Sequence, residues 1–177
     1  MPQGSVAYRG LSLGALASLA VLALGVFTDA APADATLGSL FLSAPVTPFT
    51  VQRLASLPQQ PWLAGHRGLD LDAGVGAPVT APATGVVTYV GFVVDRPVVS
   101  IRHDQGLVSS FEPVDSIVGV GDVVAKGESI GTVAASPHHC TKRECVHWGL
   151  RLDGAYVDPL DYLAGFGPIR LLPSGFN

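Results

Sequence analysis

The chain has 177 residues, with 10 basic and 14 acidic side chains, a formal net charge of −4 and 14% charged residues. That length bounds it to one domain with appendages. No basic run occurs anywhere along it, which excludes nucleic acid as a partner.

In chain order, Arg9 is the only charge among the first ten residues, and Leu11 to Phe27, "LSLGALASLAVLALGVF", has neither charge nor proline. The run then breaks into "TDAAPADA", which holds two A-x-A cleavage signals, Ala31-Pro32-Ala33 and Ala33-Asp34-Ala35. Residues 1–35 therefore read as a secretory signal peptide, the alternative being an uncleaved N-terminal anchor. The apolar run falls short of the ~20 residues of a spanning helix, which favours the cleaved signal. Either way the remainder is expected outside the cytoplasm, secreted or in the cell envelope, and any membrane contact would come only through an uncleaved N-terminal segment.

Residues 36–61 carry four prolines, little charge and no clear period, and read as an extended lead-in draped over the domain. Residues 62–165 form the domain itself. Its texture is short runs rich in Val, Ile, Thr and aromatics, several of them alternating, at 77–94, 97–103, 106–114, 122–134 and 146–152. No window from 62 to 155 sustains a 3.6-residue apolar stripe. The predicted fold is all-β and antiparallel, a sandwich or half-barrel of short strands and short loops. "VDPLDYLAGF" allows one short helical turn, and residues 166–177 form a C-terminal tail. Gly121-Asp122 and Lys126-Gly127 read as turn pairs. Biotinyl and lipoyl carrier domains share that hairpin pattern, but Lys126 lacks their modification motif.

Three groups can carry chemistry. "GHRGLDLDA" spaces His66 and Asp70 as H-x-x-x-D, with Gly68 between them to let the chain bend. "CVHWGLRL" puts Val146, Trp148 and Leu150 on one strand face and His147 on the other with Gly149. Each fragment alone fits a histidine satisfied by ordinary hydrogen bonds. Together they supply two imidazoles and one carboxylate, a set that suits zinc and leaves a fourth position open for water. Cys140 and Cys145 are the only cysteines, and in an exported chain they make most simply a disulfide. The alternative is Cys145 as a thiolate ligand.

With these residues in place the chain resembles the M23 (lysostaphin/LytM-type) zinc metallopeptidases, which cut peptide cross-links of bacterial cell walls. The segments that carry the resemblance are "GHRGLDLDAGVGAPVTAPATGVV", "VSIRHDQGLVSSFEPV", "VGVGDVVAKGESIGTV" and "CVHWGLRLDGAYVDPLDYL". They cover about Trp62 to Leu163, and the first is the most specific. The resemblance implies one Zn2+ ion on His66, Asp70 and His147. It also implies two further histidines, which orient the attacking water and stabilise the oxyanion, and here the sequence departs. The final H-x-H motif reads Cys145-Val146-His147, and the aromatic-x-His motif reads Phe111-Glu112-Pro113. Cys145 and Pro113 thus occupy the seats of the lost pair, and neither does that work.

Candidate replacements are Glu112, which would reach the metal only if its strand bulged, and His138 or His139 folding back over the site. His103 is expected to be structural or at the cleft rim. The expected function is an exported zinc endopeptidase acting on peptidoglycan or another cell-wall peptide. The alternative is a catalytically inactive module of the same fold that binds wall peptides or regulates another hydrolase. A β domain whose triad binds nothing is disfavoured by the intact ligand set.

Overall fold

Alternation in the sequence becomes two antiparallel sheets. The computed structural model describes residues 41–136, Cys140 and residues 143–164. The strands, in chain order, are β1 (Val51–Arg53), β2 (Leu69–Asp72), β3 (Pro78–Thr80), β4 (Gly85–Val93), β5 (Arg96–His103), β6 (Leu107–Glu112), β7 (Val114–Ser116), β8 (Val123–Val124), β9 (Ser129–Val133), β10 (Cys145–Leu152) and β11 (Ala155–Val157). The larger sheet runs β1-β2-β10-β6-β5-β4-β8, with β11 also on β10, and the smaller runs β3-β9-β7. A 3-10 turn at Pro159–Tyr162, with Asp158 accepting from the amide of Leu160, fulfils the short helical turn expected there. Gly121 and Gly127 both adopt the left-handed backbone their turns require.

β6 shows how sequence sets the faces. Leu107, Ser109 and Phe111 are buried, while Val108, Ser110 and Glu112 are half-buried on the other side. In β10, Val146, Trp148 and Leu150 enter the core with Leu69, Leu71, Val99 and Ile101. Phe111 and Trp148 are cross-strand partners with ring centroids 6.3 Å apart. Apolar burial of this kind contributes about 25 cal/mol per Å² and fixes the register, because a slip of one residue would turn Phe111 and Trp148 out to solvent.

The lead-in is more than a drape. Leu42 is fully buried, and its amide donates to the carbonyl of Tyr162 at 2.8 Å. β1 pairs with β2 at the edge of the larger sheet, and Ser56 and His66 exchange backbone hydrogen bonds at 2.8 and 2.9 Å. Beyond Glu112 the chain crosses to the smaller sheet through buried Pro113, and Val114 pairs with Val133. Among the described residues no helix is long and apolar enough to cross a membrane.

Candidate metal centre

Three adjacent strands bring the site together. In the β2–β10 ladder His147 lies opposite Asp70, and in the β10–β6 ladder the same His147 lies opposite Glu112. Directly paired residues share a face, so Asp70, His147 and Glu112 form a row across the sheet on the side away from Trp148. His66, just before β2, joins the row from its bridge to Ser56.

The donor atoms converge. His66 Nε2 lies 2.9 Å from Asp70 Oδ1, His147 Nδ1 lies 2.8 Å from the same oxygen, and the two nitrogens are 3.2 Å apart. His66 and Asp70 are almost completely buried. His66 Nδ1 is 2.8 Å from the carbonyl oxygen of Leu54, which can only accept. Nδ1 therefore carries the proton, and Nε2 turns a lone pair toward Asp70 and His147. Fixing the tautomer of a metal-facing imidazole through its other nitrogen is a recurrent device of metal sites. The ligand atoms of His66, Asp70 and His147 all lie within 4.8 Å of one another, two imidazoles and a carboxylate at a spacing that a divalent cation fits.

Gly68 acts here through space. It is not among the residues with left-handed backbone; instead, a Cβ at this position would collide with the carbonyl oxygen of Trp148 and come within 2.8 Å of His147 Nε2. The bend expected of it in the sequence is a close approach.

Glu112 also differs from expectation. It reaches the cleft without a bulge, since the β6–β10 register runs unbroken from Leu107 to Glu112. Its parity is set by Phe111, which must point inward. Its carboxylate is held by Arg96, with Nη1 3.2 Å from Oε1. The row borders a cleft of about 470 Å³ whose walls include Tyr89, Ser110, Glu112, His147, Arg151 and Tyr156. The Arg151 guanidinium stands 5.8 Å from the Tyr156 ring centroid, a cation–π arrangement. Arg96 and Arg151 were not singled out in the sequence; counting alternate residues from Phe111 and Trp148 identifies the strand face on which Arg151 lies.

Cys140 and Cys145 are joined by a disulfide, with Cα atoms 6.2 Å apart. Pro113 is buried at the crossing between sheets. His138 and His139 lie outside the described residues. His103 is buried in a relay within the core. Trp148 Nε1 donates to Ser109 Oγ at 3.2 Å, Ser109 Oγ meets His103 Nε2 at 3.0 Å, and His103 Nδ1 donates to the carbonyl of Thr84 at 3.1 Å. Burial holds the His103 imidazole below its ordinary pKa of 6.5, a depression the Thr84 carbonyl partly offsets.

Fold and site together define a metallopeptidase-type domain, and the chain belongs to peptidase family M23, whose family model matches residues 64–159. An uncharacterized protein of Mycobacterium tuberculosis is 43% identical over 116 residues, covering 63% of this chain and 46% of that protein. A lipoprotein NlpD/LppB homolog of Pseudomonas aeruginosa is 32% identical over 101 residues, covering 55% of this chain and 33% of its own length. The chain thus spans half or less of the curated relatives it matches. Among solved structures, a putative peptidase M23 from Pseudomonas aeruginosa is 32% identical with a TM-score of 0.55, covering 72% of this chain and 52% of that one.

Proposed function

We propose that the chain is an exported, zinc-dependent M23 endopeptidase domain that hydrolyses peptide cross-links of peptidoglycan. The observation that carries this reading is the row of Asp70, His147 and Glu112 across three strands, with His66 closing the donor set. His66, Asp70 and His147 would hold one Zn2+, which when bound supplies Lewis acidity toward a scissile carbonyl. Glu112 is the only acidic residue among the described residues that line the cleft. In this reading it takes a proton from the attacking water and returns it to the leaving amine. Arg96 holds its carboxylate in place, and Tyr89 and Tyr156 flank an extended peptide. Export is supported by the signal-like N-terminus and by a relative that is named a lipoprotein.

The test is amine release from purified cross-linked peptidoglycan at saturating zinc. Glu112→Gln is expected to lower kcat by roughly 10²–10⁴-fold while leaving bound zinc unchanged, and Asp70→Ala to remove both zinc and activity. A full rate in Glu112→Gln would remove Glu112 from the mechanism, and the same assay on His138→Ala and His139→Ala would then test the remaining candidates.

A second reading is favoured by Pro113 and the disulfide-bonded Cys145 at the seats of the two catalytic histidines. It is a non-catalytic module that binds wall peptides or regulates another hydrolase. Wild type as inert as Asp70→Ala, yet still retained on cross-linked peptidoglycan, would establish it.

A further inference from the structure

The disulfide stands against the metal centre. Cys145 occupies β10 two residues before His147, so alternation places its side chain on the same face, and the residue is buried. One carboxylate oxygen of Asp70 and the sulfurs of Cys140 and Cys145 all lie within 4.8 Å of one another. Asp70 therefore belongs to two donor sets, one with the histidines and one with the sulfurs. Ligand atoms of a tetrahedral zinc ion bound by thiolate and carboxylate stand about 3.5–3.8 Å apart, so small side-chain rotations bring the second set to coordination distance. As a disulfide the sulfurs are poor ligands; as thiolates they are strong ones.

The strand that carries Cys145 has contacts that do not run through the S–S bond. Cys145 is paired with Asp72 in the β2–β10 ladder. The preceding residues are pinned by Arg143 Nη1 on Asp72 Oδ2 at 3.0 Å, by the Val75 amide on Glu144 Oε2 at 2.9 Å, and by Gln52 Nε2 on the Glu144 carbonyl at 3.0 Å. None of these contacts involves a sulfur atom.

We propose that reduction of Cys140–Cys145 by a dithiol opens a second metal site, Asp70–Cys140–Cys145, for a thiophilic divalent cation, sharing Asp70 with the His66–Asp70–His147 set. The dithiol delivers two electrons and two protons, the S–S bond becomes two thiols, and the reductant leaves as its own cyclic disulfide. Binding of the cation then releases the two thiol protons to solvent. The site shares only Asp70 with the peptidase reading, and its two sulfurs are atoms that reading leaves idle.

Cadmium is the probe, counted per chain by equilibrium dialysis while the ultraviolet thiolate-to-cadmium band is recorded. The oxidised chain is expected to bind one ion without the band, and the reduced chain two ions with it. Reduced Cys140→Ser/Cys145→Ser should bind one ion without the band, its circular dichroism showing that the fold survives loss of the bond. Reduced His147→Ala should keep the band while losing the first ion, which separates failure of the histidine set from failure of this one. Asp70→Asn should weaken the band-forming site at least roughly tenfold. Absence of the band in the reduced chain, unfolding on reduction, or undiminished affinity in Asp70→Asn would each overturn the proposal.

Discussion

Asp70 is the residue on which most depends, because one of its oxygens lies within 2.9 Å of nitrogens from both histidines. Asp70→Ala is expected to abolish stoichiometric zinc binding, read by elemental analysis after dialysis; a full equivalent of retained zinc would overturn the ligand assignment. Gly68→Ala is expected to cost about 1–3 kcal/mol in unfolding free energy through overpacking. Because the added methyl meets both the Trp148 carbonyl and the His147 ring, metal affinity should fall together with the melting temperature. His103 makes a separate prediction. Its pKa is depressed by burial, so below pH 6.5 the unfolded chain takes up a proton more readily than the folded one. The stability that neutral His103 contributes is present above that pH and lost as pH falls through the lowered folded value. Calorimetric melting from about pH 7 to pH 5 should therefore show a shallower loss in His103→Gln than in wild type. Equal slopes would show that another group governs the decline.

At the scale of elements, the β4–β5 hairpin turns through Val94 and Asp95, with Val94 at φ 59° and almost fully exposed. A β-branched residue is strained in that region, so Val94→Asn is expected to stabilise the domain by about 1 kcal/mol, measured by urea unfolding. The strands that pack against the core were legible in the sequence because their faces differ. Leu107 and Phe111 mark the inward face of β6, and Val146, Trp148 and Leu150 mark the inward face of β10. β1 was not legible. It is three residues long and joins the sheet at an edge by backbone pairing, which leaves little mark on side-chain pattern. The cleft-side position of Glu112 was obscured for a related reason. Which face Glu112 takes depends on the β6–β10 register, which the residues alone do not give, and Pro113 lies past the strand's end, at the crossing between sheets.

At the scale of the whole molecule, the histidine–aspartate spacing and the motif order disclosed the family, but the contacts made by the lead-in were invisible, since a backbone carbonyl has no letter in a sequence. The family match begins at residue 64, while the group that fixes the His66 tautomer is the carbonyl of Leu54. Deleting residues 1–57 is expected to lower zinc affinity roughly 10–100-fold, by titration against a competing chelator, even where circular dichroism still reports strands. Unchanged affinity would show that the tautomer is set elsewhere. The boundary drawn by likeness and the boundary drawn by hydrogen bonding are therefore different lines. Cut at the first, the domain would keep His66, Asp70 and His147 but lose the carbonyl that fixes the His66 tautomer. The stretch from Leu42 to Ser56 is thus structurally part of the domain: an engineered fusion can replace what lies upstream of it, but not the stretch itself.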